Sequence, residues 1–278
     1  MRRKTFALLR PIALYSLVAL YLLWTVTPII WVAIMSVQPE INYVTVPPHL
    51  RLQDVSPRWY IEMLSQPDVV SALKNSVIIS TLTMVFCLLF GALAAYPLAR
   101  LNLPLKNGFL TISVVMRMIP AIILIIPMFL MIRSLRLRDT HLGLVIVYTA
   151  FLLPYIIWML RNFFQQIPYS LEAAARMDGC SRLGALFRVL MPAIAPGVVA
   201  TAVFAFIGAW NEFLFGLILS TSVATPITVK ISALVSASFH SDTSLVAATG
   251  MLAILPVVAL VVVLNRYIVR GLVEGVKY

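Results

Sequence analysis

Residues 12–35 form an unbroken apolar run, and at 1.5 Å per residue a helix over it crosses about 30 Å of hydrocarbon. Further runs of this kind cover 69–99, 108–132, 141–160, 197–219 and 244–264. Their repetition predicts an all-α integral membrane fold of six transmembrane helices, in a single domain over residues 1–278. Composition agrees, since 62% hydrophobic residues and a mean hydropathy of +0.99 far exceed the globular norm of roughly half apolar. The first run is too long for the apolar part of a signal peptide and lacks a small-x-small cleavage site, so it reads as an uncleaved anchor.

The net charge of +11 could point to nucleic acid, but the basic residues stand at the ends of apolar runs rather than on one face. Arg2, Arg3, Lys4 and Arg10 precede the first run, Arg100 and Lys106 separate the second from the third, and Arg266, Arg270 and Lys277 close the chain. With Arg161, Arg176, Arg182 and Arg188 they form the positive-inside pattern of a chain whose two termini are cytoplasmic. Arg133, Arg136 and Arg138, beside Asp139, run against that bias. Arg117 falls inside the third run, just before Pro120, and must snorkel to an edge or face a polar cavity. Pro120 and Pro127 both break that run on this reading, and Pro154 kinks the fourth.

Between the first two runs, 38–68 is polar and proline-rich, with Glu40, Asp54, Glu62 and Asp68. It is expected outside the cell, as a solvated connector or as a contact surface for a substrate-delivering protein. Gly91, Ala92, Ala94 and Ala95 supply the small side chains that tight helix packing in lipid requires. The Ser- and Thr-rich loop 220–242, with Lys230 and His240, has room for a short re-entrant or interfacial helix.

Catalytic signals are missing. The chain has no Gly-x4-Gly-Lys-Ser/Thr phosphate loop, no HExxH, no CxxC and no Gly-x-Ser-x-Gly, and neither Cys87 nor Cys180 stands at metal or disulfide spacing. Neither an enzyme nor a metal site is expected, and any energy from ATP must come from another subunit. An ion-coupled secondary transporter is the rival reading, with Glu212 as its mid-helix carboxylate, but no internal repeat supports it.

One stretch cannot lie in lipid. Residues 167–192 carry Glu172, Arg176, Asp178, Arg182 and Arg188 in a chain only 11% charged. Pro168 suits a first helical turn, Gly179 a left-handed helix end, and Ser181 the cap of a second helix. Leu183, Leu186, Phe187 and Leu190 then form one apolar stripe that Pro192 ends. Leu171, Ala174 and Ala175 give the first helix a face that another backbone can approach closely, with charges beside it to fix register.

Gly179 followed by Val189, Met191 and Pro192, with Glu172, Ala174, Ala175 and Asp178 upstream, resembles the cytoplasmic EAA coupling loop of ABC importer permeases. Leu135–Thr140, the LRNFFQQIP stretch 160–168, Ala209–Phe213 and the terminal Arg270, Gly271, Leu272, Gly275, Val276 and Lys277 extend the likeness over nearly the whole chain. It is similar to the six-helix second permease subunit of maltose-type or glycerol-phosphate-type carbohydrate importers. The resemblance implies a multi-pass subunit of the bacterial cytoplasmic membrane, paired with a sister permease and served by an extracytoplasmic solute-binding protein. It also implies two ATP-binding cassette subunits that carry the ATP and Mg²⁺. Glu172, Ala173, Ala174, Ala175, Arg176, Asp178, Gly179 and Pro192 are the coupling residues it implies. One departure matters: the family acid stands six residues before the Gly, where this chain has Ala173, and Glu172 lies one place earlier. A one-residue step turns a helical side chain by about 100°. Glu172 is therefore expected to brace Arg176 at i+4, leaving Arg176 and Asp178 to face the ATPase.

In the fifth run Trp210, Asn211 and Glu212 are the most polar intramembrane patch. They line a polyol pathway, with Trp210 offering a ring face to a sugar, or Glu212 is a structural carboxylate.

Overall fold

The computed structural model describes residues 2–104, 106–116, 118–237 and 242–274, and among them every element is helical. Arg117, His240, Gly275, Val276 and Lys277 lie outside the described residues, as do the side chains of Arg2, Arg3, Lys4, Arg10 and Arg270. The chain falls into two compact units, 1–67 with 233–254 and 68–232 with 255–278.

The first unit starts with α1 (Arg2–Met35), whose membrane-length portion Leu14–Met35 buries nothing against its own chain. Apolar side chains all round Leu14–Met35 suit a lipid-facing element. Two of its hydroxyls are satisfied within the helix, since Thr25 donates to Tyr21 O and Thr27 to Leu23 O. Two short helices follow, α2 (Glu40–Val44) and α3 (Arg58–Ser65). They are tied to the residues that open the last helix of the chain: Trp59 Nε1 donates to Asp242 Oδ2, the Tyr43 hydroxyl meets Ser244 Oγ at 2.8 Å, and Thr243 N donates to Glu40 Oε2.

The second unit holds the packed core. Its elements are α4 (Pro67–Arg100), α5 (Lys106–Met116), α6 (Ala121–Ser134), α7 (His141–Gln166), α8 (Tyr169–Met177), α9 (Arg182–Ala185), α10 (Met191–Ala193), α11 (Ala195–Trp210), α12 (Leu214–Leu219) and α13 (Ile227–Ala237). The last helix, α14 (Thr243–Glu274), opens in the first unit and ends in this one. α7 is central, capped by Thr140 Oγ1, which accepts from Gly143 N at 3.0 Å. Its Tyr148, Ile156, Leu160 and Phe164 are almost wholly buried. Small residues let its neighbours close on it. A Cβ on Gly91 of α4 would lie 2.9 Å from Ile156 Cγ2, and one on Gly208 of α11 would lie 2.9 Å from Leu152 Cδ2.

The stretch 108–132, expected as one helix, is two, because Pro120 lies at the N-cap of α6 and ends regular structure before it. Pro127 and Pro154 sit inside helices that continue through them. The fifth run is also divided, as α11 stops at Trp210 and α12 starts at Leu214.

Where α7 begins, Asp139 reaches into the chain that follows α12. Its carboxylate accepts from the backbone N–H groups of Thr221, Ser222, Val223 and Ala224 and from the hydroxyls of Thr221 and Ser222. Four successive amides around one anion make a backbone nest. Asn75 Nδ2 donates to the carbonyls of Val223 and Thr225, and Ser76 Oγ accepts from Ile227 N. Residues 221–227 are thereby fixed to α4 and to the start of α7.

Candidate functional site

The polar stretch 167–192 folds as its local chemistry dictates. Pro168 is the N-cap of α8, and Gly179 takes φ +85°, a conformation other residues adopt only with strain. Cys180 N donates to Ala175 O at 3.0 Å and Gly179 N to Arg176 O at 3.2 Å, the paired bonds of a Schellman ending. Ser181 Oγ then caps α9 by accepting from Gly184 N at 3.1 Å.

Beyond α9 the regular ladder widens to a π turn over Leu186–Leu190. The expected single apolar stripe is therefore split, with Leu186 and Leu190 buried while Leu183 and Phe187 are exposed. Nor does Pro192 end the helical run. It sits in the first turn of α10, and the chain turns at Ile194, leaving the arms Arg182–Ala193 and Ala195–Trp210 bent by 88°.

On α8 the inner and outer faces separate cleanly. Ala175 is buried and Glu172 turns inward, whereas Ala173, Ala174, Arg176, Asp178 and Met177, which is 84% exposed, face away from the chain. Ala173 and Met177 follow at i and i+4 as an outward stripe of apolar contact atoms with Arg176 and Asp178 beside it, whereas Tyr169, one turn earlier, lays its ring against Arg100 of α4.

Glu172 does not brace Arg176. Its Oε1 accepts from the Tyr96 hydroxyl at 2.6 Å, and its Oε2 lies 3.6 Å from Arg100 Nε. Both partners lie on α4, and Arg100, its side chain only 1% exposed, also stacks 4.6 Å over the Tyr169 ring. A partly enclosed carboxylate beside a buried guanidinium is attracted more strongly than by an exposed lysine or arginine at i+4, so the inward pairing wins. Tyr96 and Arg100 carry no signal in the sequence that marks them as partners of α8. Their i, i+4 spacing at the end of α4 puts them on one face, but nothing local joins them to a residue more than seventy positions on.

At the other candidate site the three residues part company. Trp210 is 3% exposed and stacks on Phe206 at 5.6 Å, so the ring face expected to meet a sugar is closed. Glu212 caps the start of α12, accepting from Phe215 N at 3.0 Å and Gly216 N at 3.1 Å. Asn211 alone is exposed. Near it in the chain, Phe215 joins Met116, Leu124, Met128, Val147 and Phe151 around an apolar recess of about 110 Å³. Among the described residues no cluster of His, Cys, Asp and Glu could hold a metal ion.

Residues 87–274 match the family described as binding-protein-dependent transport system inner membrane component. The chain is 33% identical over 251 residues to the sulfoquinovosyl glycerol transport system permease protein of Agrobacterium fabrum, covering 89% of this chain and 87% of that one. It is 39% identical over 207 residues to the trehalose transport system permease protein of Mycobacterium tuberculosis, covering 74% and 76%. Its fold is similar to a chain of a bacterial ABC transporter involved in the import of the acidic polysaccharide alginate, with a TM-score of 0.78 at 23% identity over 93% of this chain and 96% of that one. With long apolar helices, an ordered polar loop between two of them and a family match over most of its length, the chain belongs to the binding-protein-dependent transport system inner membrane components.

Proposed function

We propose that this chain forms half of the translocation pathway of an ABC importer for a carbohydrate or related polyol, with α8 as the helix that docks on a separate ATPase subunit. The observation that carries the reading is α8 itself. A short helix of fixed length, closed by a Schellman turn, holds an apolar stripe and two charges outward and anchors its opposite face through Glu172. The substrate class is supported by the relatives, whose names specify a sulfoquinovosyl glycerol and trehalose.

In this reading six spans cross a bacterial cytoplasmic membrane: α1, α4, α5 with α6, α7, α11 with α12, and α14. Both termini and α8 lie in the cytoplasm. A sister permease completes the pathway, two ATPase subunits bind ATP and Mg²⁺, and an extracytoplasmic solute-binding protein delivers the solute. Ala173, Ala174, Arg176, Met177, Asp178 and the Gly179 turn face the ATPase, and of the fifth-run residues only Asn211 remains for the pathway.

Reconstituted alone in liposomes, the chain should carry no sugar under a proton or sodium gradient. With the sister permease, the ATPase and the binding protein, uptake should appear and should require ATP. Gradient-driven uptake by the single chain refutes the assignment. So does an ATPase subunit that binds a Met177→Glu variant as firmly as the parent.

A further inference from the structure

Both carboxylate oxygens of Glu172 on α8 are held by α4, one by the Tyr96 hydroxyl at 2.6 Å and the other by Arg100 at 3.6 Å. We infer that Glu172 and Arg100 form the strut through which displacement of α8 enters the membrane bundle, and that α4 is the helix it drives. The inference rests on the reading of α8 as the docking helix.

Two points of attachment, one turn apart on α4, fix the orientation of α8 as well as its distance. A single hydrogen bond would let it pivot. Arg100 is enclosed from both sides by α8, with Glu172 toward Nε and the Tyr169 ring against the guanidinium plane. Among the described residues none of the Arg100 nitrogens Nε, Nη1 and Nη2 has a hydrogen-bond acceptor, so the ion pair with Glu172 is the only contact this buried charge makes with an anion. Separating α8 from α4 would strand that cation in a site shut off from water, which makes separation costly and movement together favoured. The contact therefore carries force in tension and in compression.

The same geometry explains the acid's place in the sequence. At 172 the side chain points into the bundle, and at 173, about 100° further round, it points outward, where this chain has only a methyl group. The outward face is left for the ATPase, and the inward acid serves the permease. Glu172 is thus a positioning residue that acts through α4 and touches neither solute nor nucleotide.

The test uses the full transporter, purified as a complex through a tag on this chain. Two quantities are read: the amount of ATPase subunit retained, and the ATP-induced change in distance between spin labels at Leu93 on α4 and Val262 on α14, both exposed. Glu172→Gln and Arg100→Gln should each retain the ATPase subunit and reduce the ATP-induced change roughly tenfold, with the double variant no worse than either single, as expected for contacting residues that act as one unit. Tyr96→Phe removes only one oxygen and should give an intermediate loss, which keeps the test open where a charge variant misfolds. Losses that multiply in the double variant overturn the strut. So does release of the ATPase by Glu172→Gln, or a Tyr96→Phe variant that moves as the parent does. Met177→Glu probes the outer face separately, and its failure to release the ATPase would count against the docking reading itself, so the two failures are told apart.

Discussion

Replacing Asp139 by Asn tests what holds residues 221–224 in place. Asn tolerates the left-handed backbone that Asp139 adopts at φ +56°, so the change isolates the charge and one oxygen from backbone strain. The native carboxylate accepts from four amides and two hydroxyls. An amide keeps one acceptor and turns an NH₂ donor toward groups that are themselves donors. Hydrogen bonds to a charged group contribute about 1.5–3 kcal/mol each when shielded. Thr221, Ser222 and Val223 are exposed and can bond to water instead, so the loss is dominated by the shielded Ala224 amide and by the repulsive donor pair, about 2–3 kcal/mol in all. Thermal unfolding of the purified protein in detergent is the assay, with Glu62→Gln, a variant at an exposed i,i+4 pair, as the control expected to stay within about 0.5 kcal/mol. Burial alone would raise the Asp139 carboxyl, but the amides of Thr221, Val223 and Ala224 outweigh it and hold the group well below the usual carboxylate range. A depressed native value gives stability that is complete above the unfolded pKa of about 4 and is lost only as pH falls toward the native one. The gap between parent and Asp139→Asn should accordingly be equal at pH 7 and pH 5. An Asp139→Asn protein that melts with the Glu62→Gln control refutes the nest, and a gap that closes between pH 7 and pH 5 refutes its electrostatic account.

Other outcomes follow from single contacts. Gly179→Val should cost about 1–2 kcal/mol through its left-handed backbone alone, since nothing lies within 4 Å of a Cβ there, and ATP-driven uptake should fall while membrane insertion persists. Gly91→Val should lower the melting temperature through a loss of about 1–3 kcal/mol, because the added atoms meet Ile156, and an unshifted melt would mean α4 and α7 pack less closely. Glu212→Ala should destabilise the protein by about 1–2 kcal/mol through lost capping and leave the uptake KM unchanged, whereas Asn211→Ala should raise that KM with stability intact. The opposite assignment of the two effects would restore Glu212 to the pathway.

What the sequence disclosed was local. Gly179 and Ser181 each state their backbone role by residue type and take it up in the fold, while Pro168, expected in the first helical turn, stands one place earlier as the N-cap. Hydropathy likewise announces apolar helices, since lipid leaves the backbone few alternatives. Pairings between distant segments were not legible. The step between Glu172 and Ala173 gives an angle about the helix axis, but which side faces inward depends on Tyr96 and Arg100, and no periodicity reports them. Pro120 and Pro127 look equivalent in a sequence, yet one occupies an N-cap and the other a helix interior. Asp139 stood among three arginines and read as part of a charged loop, when its partners are backbone amides that leave no trace in side-chain composition. Trp210 was expected to meet a sugar because aromatic rings do so, and Phe206, one turn earlier, covers it instead.

The near-right angle at Ile194 sets a rule of kinematics for α11. Two rigid arms at 88° behave as a bell crank, so a thrust along the arm that contains the π turn has almost no component along the α11 axis. Under such a thrust α11 would tilt or translate broadside, not ratchet lengthwise past its neighbour. Gly208, which packs against Leu152, would stay opposite it in such a stroke, and the two helices would part or close as a hinge does, with no ridge lifted over another.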